Sequence, residues 1–239
     1  MAIGFMFFTL STCWINWFIP PDQPQWTSAY RDAMSFRAGH YFISFISMAT
    51  AVAAGFGSTN TGRWEIFITE PLNIEVPRSL SEVVVSWNIP MHKWFKKYCF
   101  KRTIAYGKLT AVMTTFFAST LLHGLNFQLG AVLLSLGFFS FVEDKLRSRL
   151  SIIFDASIGA RRNSNQNYTH QEGSFIVMLV NSGFGILTVI HLMYTGVMFD
   201  QSDLQSEGYH WTHTIAKWES LGFFSHIFFT IMLILAFII

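Results

Sequence analysis

The sequence predicts an all-α, polytopic membrane protein: about six transmembrane helices, with further helices lying on or dipping into the bilayer. Three observations predict it. The chain is 51% hydrophobic and only 13% charged, against about 25% charged in soluble domains. Six windows approach the length, about 20 mainly apolar residues, that a crossing helix needs. Lysine and arginine are segregated into two of the connections, as the positive-inside rule expects of cytosolic loops.

The first window, 2–19, lacks a basic leading region and carries Trp14 and Trp17 near its end, so it reads as an anchored span and not a signal peptide. The second is 37–57. Segment 58–104 then holds Arg63, Arg78, Lys93, Lys96, Lys97, Lys101 and Arg102. Its aromatics, prolines and lysines alternate like those of interfacial helices. Within it SLSEVVVSW is apolar enough to re-enter the bilayer, and Asn88-Ile89-Pro90 is expected to end that helix, because proline disfavours helix at the residue before it. Glu82 is expected to pair with Arg78.

A nearly continuous apolar tract, 109–142, is too long for one crossing, so it divides around His123-Gly124 into spans 105–123 and 126–144. Segment 145–174 carries Lys145, Arg147, Arg149, Arg161 and Arg162; its ARRNSNQNYTH stretch is polar and is expected to be a mobile loop. The fifth span is 175–198. The 199–219 connection has only Lys217 against Asp200, Asp203, Glu207 and Glu219, and a sixth span, 220–239, follows. Six alternating crossings put both basic segments in the cytosol and the acidic one on the lumenal side. The Asn167-Tyr168-Thr169 sequon is then cytosolic and expected to stay unmodified. Inverted repeats and mid-membrane charges, the marks of a transporter, are not evident.

His123 is the only ionisable group in 116–134. It is either a packing residue bonded to a neighbouring helix or a general base, since neutral imidazole suits proton transfer near neutral pH. Burial disfavours the charged ring, which favours the second role. Ser119 or Thr120 can orient it, and hydroxyl back-bonding to the helix is the plain alternative. Asn88 is either a turn or cap residue or a donor to a substrate carbonyl. His191 is a tunnel or packing residue; His40 and His226 fall near span ends, and His92 and His170 read as solvated. His210 and His213 have no third ligand in reach, so no metal is expected. Cys13 and Cys99 form no CxxC pair. A formal charge of +2 gives no sign of nucleic acid binding.

PLNIEVPRS, SWNIPMHKW and LLHG, in that order and followed by an apolar span with a VEDKLRSRL exit, resemble the membrane-bound O-acyltransferases, over most of the chain from about Phe36 onward. The resemblance implies catalytic roles for His123 and Asn88 and a catalytic region over 71–130. It is strongest to the branch that moves palmitoleate from palmitoleoyl-CoA to a serine of Wnt proteins in the endoplasmic-reticulum membrane. Palmitoleoyl-CoA is then a co-substrate and no separate cofactor is implied. The CoA phosphates would meet Lys96, Lys97, Lys101 and Arg102, with Trp87 beside them; positive-inside topology and attraction to anionic lipid explain the same cations more plainly. Members of that family are longer, so residues 1–239 are expected to form a partial domain, its C-terminal half. Alternatives are an inactive short form that binds Wnt or the complete enzyme, and an acyltransferase for another secreted substrate.

Overall fold

The computed structural model describes residues 1–20, 22–57, 66–124, 126–162, 167–199 and 210–239. Apolar helix α1 (Ala2–Phe18) is interrupted by a π turn over Leu10–Trp14. It runs antiparallel to α2 (Gln25–Ala53), with Gly4 beside Phe45 and Ile46 and reciprocal bonds of 3.0 and 2.9 Å between the hydroxyls and carbonyls of Ser11 and Ser35. Close contact at small residues with hydroxyl bonds is how helices associate where water supplies no drive.

Short helices α3 (Leu72–Glu75), α4 (Leu80–Trp87) and α5 (Ile89–Phe95) fill the middle of the chain. α5 continues through a π turn, Lys96–Phe100, to α6 (Lys108–Leu122). α6 packs antiparallel on α7 (Phe127–Ile153), where Gly137 admits the Phe116 ring. α8 (Phe175–Gly196) packs antiparallel on α2, and a Cβ at Gly196 would lie 2.5 Å from that of Ala33. α9 (Trp211–Ser220) and α10 (Phe224–Ile238) meet at a 74° bend, in which Gly222 and Phe223 are left-handed. α10 runs parallel to α7, through Ser135 on His226, Phe139 on Phe229 and Lys145 on Phe237.

Helices thus occupy all six expected windows, but α2 begins well before residue 37 and α7 ends well after 144. Composition excluded the charged flanks; the fold keeps them helical by pairing them. Before residue 37, Arg31 meets Asp32 at 2.8 Å, and after 144, Arg147 meets Glu143 at 2.9 Å; Arg37, at the edge of its window, meets Glu75 at 2.8 Å. Only α8 has by itself both the length and the apolarity to cross a membrane, with the bent α9–α10 pair a second among the described residues; α1 and α6 are shorter apolar helices.

The two ends of the bundle differ. At one, Ala29, Val132, Tyr194, Val197, Met198, Trp218 and Leu221 form a cluster. At the other, residues 77–80, 156–160 and Glu172 lock together around arginines. The 160–170 stretch, expected to be mobile, is tied down at its described edges: Ala160 is buried and its carbonyl accepts from the Ser79 hydroxyl at 2.8 Å. Residues 163–166, like Arg63 and the 200–209 acids, lie outside the described residues.

Candidate active site

The Asn88 break is built from the sequence SWNIP. Continuing α4 through it would require Ile89, Pro90 and Met91 to donate to the carbonyls of Val85, Ser86 and Trp87, and Pro90 has no N–H to give. Asn88 turns extended (φ −147°, ψ 90°), and its Oδ1 accepts from the Met91 N–H at 3.1 Å, capping α5. Three of the groups freed by the break then find partners elsewhere. The Ile89 N–H donates to Ile68 O at 2.8 Å, and Ser86 O accepts from Glu70 N–H at 3.0 Å and from the Thr69 hydroxyl at 3.1 Å. Trp87 O meets His40 Nε2 at 2.8 Å. Asn88 is therefore held in place from several directions, and with Oδ1 engaged its Nδ2 is the end left to donate.

At the other end of α4, Ser79 caps the helix by accepting from Glu82 N–H at 3.1 Å. Glu82 returns the bond to the Arg78 backbone N–H at 2.6 Å, a variant of the capping box. The expected Glu82–Arg78 ion pair is replaced by this cap. The Arg78 guanidinium instead meets Glu172 at 3.1 Å and the carbonyls of Ser157 and Gly159.

His123 ends α6. Its N–H donates to Ser119 O and Thr120 O, and Gly124 (φ +87°) turns the chain away. The Thr120 hydroxyl back-bonds to Phe116 O at 3.0 Å and does not orient the ring. The expected shelter is missing: His123 is exposed, beside exposed Phe117, Leu121, Leu122 and Phe127. Among the described residues, the C-terminal half of α6 is packed on one side by α7, through Phe116 on Gly137 and Thr120 on Gly130, and its outer apolar side carries the helix end out with it.

No hydrogen bond joins Asn88 to His123. They stand at the ends of one chain of contacts. Trp87 stacks on Phe36 at 6.1 Å, and Phe36 stacks on Phe199 at 4.1 Å. The neighbouring Met198 carbonyl accepts from the Gln128 amide. Gln128 lies in the first turn of α7, which Asn126 caps two residues after the Gly124 turn. Lys96 and Lys97, in the π turn that continues α5, and Lys101 and Arg102, in the α-helical turn after it, are exposed, near Trp94 and Tyr98. Trp87 is half-buried against His40 and does not join them. Burial first, then the Lys96 and Arg161 cations, holds the His92 imidazole below its ordinary range, so His92 is not the solvated ring expected.

That two charges are buried together within the protein was not anticipated from the sequence. Arg147 is 0% exposed and Glu143 3%. The guanidinium donates to Ile158 O (2.8 Å), Arg78 O (2.7 Å), Glu143 Oε1 (2.9 Å), Asn181 Oδ1 (2.8 Å) and Gly159 O (3.2 Å). Glu143 Oε2 accepts from Leu80 N–H at 2.9 Å, at the start of α4. Arg37 and Tyr41 hold Glu75 in a second cluster. The available signal was the i, i+4 spacing of Glu143 and Arg147 among the apolar residues Val142 and Leu146. His40 lies well inside α2, which begins before the expected span. His191 is buried, with Nδ1 2.8 Å from the Ser225 hydroxyl, and lines a shallow crevice with Phe184, Thr188 and Met232. Among the described residues, no three His, Cys, Asp or Glu side chains converge as metal ligands do.

Residues 5–169 match the membrane-bound O-acyltransferase family, MBOAT, and the chain belongs to it. Among its relatives are the protein-serine O-palmitoleoyltransferases porcupine of Mus musculus, 38% identical over 252 residues (95% of this chain, 54% of the relative), and of Homo sapiens, 41% identical over 209 (84% and 45%). That of Drosophila melanogaster is 32% identical over 230 residues (86% and 43%). The chain spans about half the length of the curated relatives it matches.

Proposed function

We propose that this chain carries the acyl-transfer centre of a protein-serine O-palmitoleoyltransferase, moving palmitoleate from palmitoleoyl-CoA to a serine of a Wnt protein. The observation that carries the reading is its similarity, over most of its length, to relatives bearing that name. The His123 ring takes the proton from the serine hydroxyl as its oxygen attacks the thioester carbon. The carbonyl oxygen becomes an oxyanion, to which Asn88 Nδ2 donates. Collapse breaks the carbon–sulfur bond, and the CoA thiolate recovers the proton from the imidazolium. A positioned base contributes about 10²–10⁴-fold, and one oxyanion donor about 3 kcal/mol. Lys96, Lys97, Lys101 and Arg102 offer cations to the CoA phosphates, with Trp87 bordering the path of the thioester.

Six crossings with both basic segments cytosolic, in the endoplasmic-reticulum membrane, complete the proposal, with residues 1–239 as the C-terminal half of the domain and 71–130 as its catalytic region. The helix directions support that topology. Arg78, from the first basic segment, bonds to Ser157, Gly159 and Glu172 of the second, so both lie at one end. The exposed His123 favours a second reading, in which the chain binds Wnt or a complete enzyme without turnover. Microsomes carrying this chain, given palmitoleoyl-CoA and a serine-containing Wnt peptide, separate the two. Serine-linked palmitoleate above mock level supports transfer. A bound peptide left unacylated, beside an active chain of the relatives' length, supports the second reading. Preference for another acceptor would reassign the substrate.

A further inference from the structure

Trp87 O is an acceptor without its helical donor, because Met91 N–H, which would serve it within a continuous helix, is taken by Asn88 Oδ1. A buried carbonyl left in that state costs about 1–3 kcal/mol, and the donor that replaces Met91 comes from another helix. His40 Nε2 stands 2.8 Å from Trp87 O. Since a carbonyl only accepts, Nε2 carries the hydrogen in this contact. The same imidazole lies flat on the Trp87 indole, with ring centroids 4.0 Å apart and planes within 5°. One side chain thus fixes both the main chain and the side chain of the residue immediately before Asn88. On the indole's other contacts, Phe36 adds a second parallel ring.

We infer that His40 is a positioning residue for acyl transfer: it holds the Trp87–Asn88 peptide so that the Asn88 amide points at the thioester. The inference rests on the reading of Asn88 as the oxyanion donor. His40 touches neither substrate nor reacting atoms. Its effect runs through orientation, where a displacement of about 1 Å can cost 100-fold in rate.

The two contacts of His40 with Trp87 can be separated, the Ser44 hydroxyl lying farther from Nε2 at 3.4 Å. His40→Phe keeps a flat ring for the indole and removes the donor. His40→Gln keeps an N–H donor and removes the ring. Acyl transfer is measured in microsomes for each variant, for Asn88→Ala and for the His40→Phe/Asn88→Ala double variant, with kcat and the KM for palmitoleoyl-CoA taken separately and thermal unfolding followed alongside. Positioning predicts that His40→Phe lowers kcat by about ten- to a hundredfold, leaves KM within about twofold, and folds normally. His40→Gln recovers part of the loss. In the Asn88→Ala background, His40→Phe costs nothing further, because the group it orients is gone.

A purely structural role moves different quantities. His40→Phe would then lower the unfolding temperature and the amount of protein in step with activity, and its loss would multiply with that of Asn88→Ala. That multiplication, or a His40→Phe variant with unchanged kcat beside an inactive Asn88→Ala, overturns the role of His40 and leaves Asn88 standing. Asn88→Ala retaining full activity overturns the Asn88 reading, and the role of His40 falls with it.

Discussion

Replacing Arg147 by methionine removes the guanidinium and keeps much of the side-chain volume. In the wild-type chain that group bonds to five acceptors on four segments, of which Glu143 carries a full charge. After substitution, Glu143 keeps only the Leu80 N–H, and the Ile158 and Arg78 carbonyls lose their guanidinium donor; Gly159 O still has Arg78. Stranding one partner of a buried pair costs about 3–5 kcal/mol, a large part of the roughly 5–15 kcal/mol that holds a typical protein folded. For a chain of this size, about 2–4 °C per kcal/mol converts that loss into an unfolding temperature lower by about 6–20 °C. The assay is thermal unfolding in detergent, followed by size-exclusion fluorescence, with steady-state microsomal protein as a second readout. The double variant Glu143→Leu/Arg147→Met strands no charge and is expected to be more stable than Arg147→Met alone, although it carries one change more. An Arg147→Met variant within 2 °C of wild type, or a double variant that loses the sum of both single losses, refutes the view that the ion pair pins α4 to α7.

Gly185 lies against the chain entering α4: a Cβ there would sit 2.5 Å from Pro77 O. Gly185→Ala should cost about 1–3 kcal/mol, read by unfolding in detergent; an unchanged midpoint would show that the contact yields freely. Replacing Lys96, Lys97, Lys101 and Arg102 by glutamine should raise the KM for palmitoleoyl-CoA and flatten its salt dependence with kcat nearly unchanged, since exposed cations act through screened attraction; kinetics at two ionic strengths check it. Asn167 should remain unglycosylated, and a mobility shift on glycosidase treatment would reverse the sidedness. Because the folded His92 holds its proton less tightly than an unfolded one, its contribution to stability is full above the ordinary histidine pKa and declines as pH falls through and below it. His92→Gln should flatten unfolding midpoints between neutral and mildly acid pH, and an unchanged profile contradicts this.

Helix content was legible because apolar windows of crossing length are local and long. Ends were not, wherever a charge met its partner from another segment: Arg147 finds the Arg78 carbonyl across 69 positions, so no local pattern could keep it inside α7. The break at Asn88 was readable from Pro90, whose missing N–H is a property of one residue. The donor that completes it, His40, is 47 positions away and could not be read. Arg147 was counted among the cations of the second basic segment, but its burial was not readable, because positive-inside counting weighs every arginine alike, whether solvated or fully bonded. His123 was visible as an imidazole in an apolar tract, but its exposure depends on which side of α6 the other helices cover. That is a property of packing and not of periodicity.

The central claim is that an imidazole at the end of α6 takes the proton during acyl transfer. Single-turnover transfer from palmitoleoyl-CoA to a serine peptide, compared between wild type and His123→Ala at equal amounts of folded protein, tests it most directly. The account predicts a rate lower by about 10²–10⁴-fold with unfolding temperature and acyl-CoA binding retained. A His123→Ala chain that acylates serine at near wild-type rate would contradict it.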